Sequence, residues 1–455
     1  MSGLARVVQA AGARCTGSDR TPSPFTDALV ETGFDITFDQ GPDALPDDCD
    51  LVVISAALTR DHPEVAEADR RGIPVLKYAQ MLGQVMMGRD GVAIAGTHGK
   101  STTTAMLAHA LLEAGLDPGF IIGANCEQIG GNARAGGSRI LLGEACEFDR
   151  SFHNLHPRHG VILNIEEDHL DIYGSLDAIV EAFAVFAQRI HPDGSLLIGH
   201  EGAQRTVVAA GLPCAVDTIG FAPQADWQVT AVASTRQSAT EASHAQLITI
   251  HRDSQPVCQF TLALPGDHMA YNAAVAAVTA HRLGAEWSAI GTALSTFAGL
   301  DRRMQPLGTH RGVTVVDDYG HHPTEIDTTL RALRVHHRPQ EQGGRLICVF
   351  QPHQHSRTRF LLDQFATSFS QADLVIVPQI YFVRDSDEDR RAVDSADLVQ
   401  RLQAGGVEAL HIDRFDDIVA YLHEQCREGD LLVVMGAGPV GQVAHQFVAR
   451  EAASV

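Results

Sequence analysis

Residues 91–118 read GVAIAGTHGKSTTTAMLAHALLEAGLDP, and no other stretch restricts the fold as sharply. An unbroken apolar run ends at Gly96, and Gly99-Lys100-Ser101 leads into a segment of helix formers. Short apolar runs without alternation suit strands buried on both faces of a parallel sheet. Gly96 and Gly99 let the backbone bend until its N–H groups converge on an anion. The helix that begins near Ser101 adds its positive end. Lys100 can reach β- and γ-phosphates, and the Ser101 hydroxyl can hold Mg²⁺. The full phosphate-loop pattern wants glycine where Ile94 stands, so only the shorter G-x-x-G-K-S form is present. The alternative is a glycine-rich turn with a solvated lysine. Lysine is scarce here, however: Lys77 and Lys100 are the only two in the chain. The phosphate is read as that of ATP.

The 455 residues suggest about three domains. An apolar content of 45% with 20% charged residues describes a globular chain. A net charge of −22 argues against a broad basic surface for nucleic acid and against an anionic membrane surface. The eight cysteines lie far apart with no C-x-x-C pair, so reduced thiols are expected rather than a disulfide framework or a zinc site. No run of about 18 apolar residues and no signal peptide is seen, and a cytoplasmic location is expected.

Alternating strand-like and helix-like segments predict an α/β fold in three parts. The first, 1–87, opens on a helix-like stretch and continues through strands at DLVVIS and IPVLKY. The second, 88–300, carries strands VAIAG, RILLGEA, GVILNI and SLLIG with helices at 101–115, 176–190 and 269–283. Within it, 227–264 alternates without helices and predicts a small antiparallel sheet. The third, 301–455, predicts strands GVTVVDDY, RLICVFQ, LVIVP and DLLVVMGAG, with helices at 323–335, 358–370 and 395–404 and a last one at the end.

Acidic and histidine-rich segments follow several of these strands: GEACEFD (143–149), NIEEDHLDIY (164–173), DDYGHHPTEI (317–326) and FQPHQHSRTR (350–359). The C-terminal ends of parallel strands gather at one sheet edge, so Glu144 and His169 could share a site with Ser101. Oxygen ligands suit Mg²⁺, and a neutral histidine can add a nitrogen. Taken alone, each acidic segment reads equally well as a helix cap or a solvated face. The later histidines have no helical H-x₃-H spacing or cysteine partner for zinc, and contacts to a polar substrate explain them better. MGAGPVG (435–441) reads as a tight strand-to-helix turn rather than a dinucleotide site.

Together these motifs resemble the Mur ligases of bacterial cell-wall synthesis. The resemblance rests on GTHGKSTTTAML, EACEFDRSF, NIEEDHLD, LPGDHMAYNAAVAA, FAGLDRRMQ, DDYGHHPTEI and FQPHQHSRT, which span nearly the whole chain. It implies three domains: a Rossmann-like UDP-sugar domain (1–87), a central P-loop ATPase domain (88–300) and a Rossmann-like C-terminal ligase domain (301–455). The implied activity is amide formation between L-alanine and the carboxylate of UDP-N-acetylmuramate through an acyl phosphate, with ATP and Mg²⁺. It implies that Gly96, Thr97, His98, Gly99, Lys100, Ser101 and Thr102 hold the phosphates, with Ser101, Glu144 and His169 as metal ligands. Asn272 is then expected at the adenine, Arg303 at the phosphates and Asp318 at the ribose. His321, His322 and Arg357 are expected at the acceptor and substrate carboxylates. The two small molecules are the implied partners, with no nucleic acid and no membrane, in a monomer or weak homodimer. Three alternatives stay open: a recycling ligase that adds a tripeptide to the same sugar, a P-loop small-molecule kinase, and a truncated ATP-binding remnant that is not an enzyme.

Four departures accompany the resemblance. The family usually opens with a strand and a glycine-rich turn, whereas this chain starts at the Met of that motif, and a start codon placed too late is expected. Gln354 stands where the family often has Arg, and His355 where it often has Tyr. Pro439 follows GAG where a polar residue is common. Several relatives hold the second Mg²⁺ with a carbamylated lysine, and no lysine follows Lys100 here.

Overall fold

The computed structural model describes residues 1–238, 241–383 and 385–449. It forms two compact units. The first comprises 1–165, 180–219 and 279–290, and the second 166–179, 220–278 and 291–455.

The first unit opens with an amphipathic helix, Ser2–Ala10, that buries Leu4 and Val7. Strands β1 (Thr16–Ser18) and β2 (Asp35–Thr37) pair in parallel, as do β3 (Val52–Ile54) and β4 (Val75–Lys77). Each pair is joined by a helix with proline in its first turn, Pro24–Glu31 and Pro63–Arg71, where a missing N–H costs nothing. The larger sheet of this unit contains β5 (Asp90–Ala95), β6 (Gly119–Ile121), β7 (Ala133–Arg134), β8 (Ile140–Glu144), β9 (His159–Ile162), β10 (Ser195–Gly199) and β11 (Ala215–Gly220). Its order is β11-β10-β9-β5-β8-β6-β7, parallel except for β7. Val92–Ala95 are fully buried, as an unbroken apolar strand at the middle of a parallel sheet should be. Helix Lys100–Glu113 is buried along most of its length.

In the second unit β12 (Trp227–Ser238), β13 (Glu241–Arg252) and β14 (Gln255–Leu262) form the expected antiparallel meander. A further sheet contains β15 (Gln305–His310), β16 (Val313–Asp318), β17 (Leu346–Phe350), β18 (Leu374–Val377), β19 (Ala409–His411) and β20 (Leu431–Met435). Its order is β15-β16-β20-β17-β18-β19, with only β15 antiparallel. Val315, Ile347, Val349, Leu432 and Val434 pack against Ile418, Leu422, Val443 and Phe447 on one face. The turn after β20 leads into helix Gly441–Ala449, as read from MGAGPVG. Gly436 takes φ 146°, and a Cβ there would sit 2.8 Å from the Gln351 carbonyl.

One predicted helix is wrong in detail. Instead of 358–370 there are two, His355–Phe360 and Leu362–Ser368, broken at Leu361. The first starts early because Asp385 caps it, accepting from the His355 N–H at 2.8 Å and the Ser356 N–H at 3.0 Å. A cap from thirty residues away leaves no local trace in the sequence. Among the described residues no helix is long and apolar enough to cross a membrane.

Helix Tyr78–Met86 lies so close to the 148–154 segment that a Cβ on Gly83 would stand 2.1 Å from the Asn154 carbonyl. Gly83→Ala is therefore expected to destabilise the protein by about 2–3 kcal/mol despite its better helix propensity. Urea unfolding checks this, and a stabilised variant would refute the close packing.

Candidate functional site

The phosphate loop is built at the C-terminal edge of β5. Ile94 lies opposite Glu144 on one neighbour and Val161 on the other. That register brings the loop beside the ends of β8 and β9. Gly96, at φ 143°, leaves no room for a side chain, since a Cβ would meet Leu163 Cβ at 2.9 Å. Gly99, at φ 84°, forms the N-cap of the helix that begins at Lys100. Asn164 grips the strand-to-helix turn between them. Its carbonyl accepts the Thr97 N–H at 3.2 Å, its Oδ1 accepts the His98 N–H at 2.8 Å, and its Nδ2 donates to the His98 carbonyl at 3.2 Å. The first intrahelical bond runs from the Thr103 N–H to the Gly99 carbonyl. The amides of Lys100, Ser101 and Thr102 therefore precede the helical ladder and present the helix's positive end.

Lys100 Nζ donates to the Gly96 carbonyl, to the Thr97 carbonyl at 3.1 Å and to Glu147, whose Oε2 lies 2.9 Å away. Burial lowers the Lys100 pKa, but Glu147 more than offsets this and holds it above the ordinary value, so the ammonium stays charged. Glu144 ends β8, and its Oε1 accepts the Gly123 N–H at 2.6 Å. Half-buried Tyr78 lies near it, and desolvation together with the Glu144 charge keeps the phenol protonated. The donors on this edge, the Ser101 hydroxyl and the Glu144 carboxylate, are hard oxygens of the kind Mg²⁺ takes.

The second unit gathers most of the other candidates. Arg357, expected at a substrate carboxylate, pairs here with a carboxylate of the protein. Its Nε donates to Asp168 Oδ1 at 3.0 Å and its Nη2 to Oδ2 at 3.4 Å, with both side chains buried. Burial opposes the charge on Asp168, but Arg357 and three histidines hold its pKa far below the usual carboxylate range. Arg357 also donates to His353 Nδ1 at 3.2 Å. His169 has a left-handed backbone, at φ 51°.

The two adjacent histidines differ. His322 Nδ1 accepts the Thr324 N–H at 3.2 Å, while its Nε2 donates to the Glu167 carbonyl at 2.9 Å. Both ring nitrogens are thus engaged, and the ring serves as a helix cap and a tie. His321 donates from Nδ1 to the Tyr319 carbonyl at 3.1 Å, which leaves Nε2 as the acceptor nitrogen. Glu325 Oε2 accepts the backbone N–H of both, at 3.0 and 3.3 Å. Arg303 lies 3.8 Å from the same carboxylate and stacks over Tyr319. Asp318 accepts the N–H groups of Met304 and Gly320, each at 2.7 Å, and burial pushes its pKa up to about 6. Asn272 is buried on helix Asp267–Arg282, and among the described residues no hydrogen bond joins it to this group. Gln354 and His355, the two departures, are turned toward Val383 and Asp385.

Sequence reasoning missed Asn164, Glu147, Asp168 and Glu325. All four lay inside motifs already singled out. A polar residue directly after a strand, or a carboxylate one residue before a candidate ligand, was the available signal.

Burial, followed by the Arg357 charge, pushes the His321 pKa down to about 3. A histidine depressed in the fold is protonated more readily when unfolded, so its contribution to stability falls as pH drops below about 6.5. Between pH 7 and 5 His321→Gln is expected to lose about 2 kcal/mol less stability than the parent protein. Urea unfolding at the two pH values tests this, and equal losses would show that His321 titrates normally.

Comparison with known proteins followed the chain along its whole length. It matches three family models: "Mur ligase family, catalytic domain" over residues 1–89, "Mur ligase middle domain" over 94–280 and "Mur ligase, glutamate ligase domain" over 302–438. It is 37% identical over 453 residues to a UDP-N-acetylmuramate–L-alanine ligase from Lachnospira eligens, covering 98% of this chain and 95% of that one. A protein of the same name from Clostridium novyi is 38% identical over 449 residues, covering 98% and 94%. Among solved structures, UDP-N-acetylmuramate-alanine ligase from Thermotoga maritima superposes with a TM-score of 0.81 at 23% identity, covering 100% of this chain and 97% of that one. A murein peptide ligase from Psychrobacter arcticus shares the fold with a TM-score of 0.71 at 24% identity, with the same coverage.

Proposed function

The chain belongs to the Mur ligase family, and from that premise we propose that it joins L-alanine to UDP-N-acetylmuramate in peptidoglycan precursor synthesis, with ATP as phosphoryl donor. The observation that carries this reading is the full-length identity to ligases of that name, together with the Lys100-centred loop. The lactoyl carboxylate attacks the γ-phosphorus of ATP, the bond to ADP breaks, and an acyl phosphate forms. The alanine amine then attacks the activated carbonyl, and phosphate leaves as the amide forms. A carboxylate alone is a poor electrophile, and phosphorylation supplies the leaving group. Phosphoryl transfer asks mainly for positioning and neutralised charge.

In this reading the amides of 96–102 cradle the phosphates and Lys100 neutralises them, exchanging Glu147 for phosphate oxygen. Ser101, Glu144 and His169 would hold Mg²⁺, which supplies further charge neutralisation when bound. Asn272 is assigned to adenine, Asp318 to ribose and Arg303 to the phosphates. Arg357 and the histidines face the acceptor side. Of the two histidines, His321 is the candidate base, because its Nε2 lone pair is available; His322 holds its neighbours in place. The division into 1–87, 88–300 and 301–455 is supported by the three family matches. A cytoplasmic location and a monomer or weak homodimer belong to the same reading.

The test is ADP release by purified protein with ATP, Mg²⁺ and UDP-N-acetylmuramate, with and without L-alanine. Release that depends on alanine is expected. Release with a tripeptide acceptor instead would transfer the assignment to the recycling reaction. Lys100→Ala should lower turnover by at least about a hundredfold while the circular dichroism spectrum is unchanged. Unchanged turnover would remove the loop from the mechanism.

A further inference from the structure

Three consecutive residues of the 166–168 segment are each held by a side chain from a distant part of the chain. Thr324 Oγ1 donates to Glu166 Oε2 at 2.6 Å, His322 Nε2 donates to the Glu167 carbonyl at 2.9 Å, and Arg357 forks onto Asp168. The next residue is His169. Its left-handed backbone, φ 51° and ψ 39°, is unfavourable for a residue with a Cβ and persists only where neighbours enforce it. Its carbonyl accepts the Ile172 and Tyr173 N–H groups at 2.9 and 3.0 Å, and its own N–H is held by Asp168. Asp168 Oδ1 accepts the His169 N–H at 2.7 Å and, on the same oxygen, Arg357 Nε at 3.0 Å. Its Oδ2 lies 3.6 Å from His169 Nε2. One buried carboxylate therefore helps hold the backbone of His169, lies beside its ring and pairs with Arg357.

We propose that Asp168 is a positioning residue that couples Arg357, on the acceptor side, to His169, on the metal side. A shift of Arg357 when the acceptor binds is passed to His169 through the shared oxygen. A correctly placed His169 in turn holds Arg357 ready. This rests on the ligase reading above. An aspartate that only stabilised the fold would affect neither site selectively.

The experiment uses the full chain and the variants Asp168→Asn and Arg357→Lys. Alanine-dependent ADP release by the parent protein comes first, and its absence would fail the ligase reading without bearing on Asp168. Two quantities are then compared. One is Mn²⁺ affinity with a non-hydrolysable ATP analogue bound, read by electron paramagnetic resonance. The other is the KM for L-alanine. Asp168→Asn is expected to weaken Mn²⁺ binding about tenfold, as loss of a group that orients a metal ligand does. Because Asp168 lies close enough to His169 to bind an ion itself, Arg357→Lys, which removes no candidate ligand atom, separates positioning from ligation. The alanine KM should rise by a similar factor, while the KM for UDP-N-acetylmuramate changes less than about twofold. Arg357→Lys keeps the charge but loses the Nε contact. It should also weaken Mn²⁺ binding, and it decides the matter if Asp168→Asn does not fold. A change in the alanine KM with parental Mn²⁺ affinity in both variants would overturn the coupling. So would weakened Mn²⁺ binding with a parental alanine KM.

Discussion

The parallel pairing of β5 between β8 and β9 is the constraint on which the rest of the first unit depends. Because Ile94 is in register with both Glu144 and Val161, the three strands end together. Gly96 can then turn against Leu163, and Asn164 can reach back to hold Thr97 and His98. A slip of one residue along β5 would reverse the faces of the fully buried Val92–Ala95 run and carry the loop away from Glu144. The loop's geometry thus follows from the burial of apolar side chains several residues upstream.

Much of this arrangement was legible in the sequence, for identifiable reasons. β5, β8, β9, β17, β18 and β20 are short, unbroken apolar runs, which few other structures accommodate. Helix Ser395–Ala404 begins at Asp394, whose carboxylate accepts the N–H groups of Ala396 and Asp397, so its start is written locally. β1, β2, β6 and β19 were not legible. Each is only three residues long, too short to show a pattern, and only the neighbouring strand makes them strands. The broken helix at 355–368 failed for the same kind of reason, since the Asp385 cap is a tertiary contact. In the candidate site, sequence reasoning found residues whose chemistry is conspicuous, such as Lys100 and Arg357. It passed over Glu147 and Asp168, whose importance lies in which cation each one holds.

Those two carboxylates follow a common logic. In a chain of net charge −22, each cation that would serve an anionic substrate already faces a protein carboxylate: Lys100 faces Glu147, Arg357 faces Asp168 and Arg303 faces Glu325. A buried cation left alone would carry a large desolvation cost, and each partner offsets it. In the proposed function the same partners would set a threshold, because an incoming phosphate or carboxylate would compete with a group already in place. Discrimination would then favour ligands that bring more charge or better geometry than one carboxylate provides, as a triphosphate does.

His321 and His322 show how far neighbours decide the role of a residue type. The side chains are identical and adjacent, and Glu325 ties down both backbones. Yet His322 points one nitrogen into a helix N-terminus and the other at the Glu167 carbonyl, which leaves its ring no nitrogen for proton transfer. His321 donates from Nδ1 to Tyr319, so its basic lone pair lies on Nε2. Its low pKa, set by burial and by Arg357, keeps that lone pair unprotonated at neutral pH. If His321 is the base of the proposed reaction, a group so depressed would take up a proton only when negative charge arrives nearby, as an acyl phosphate would bring it. The burial that disfavours its protonation beforehand would then make it respond to activation of the substrate.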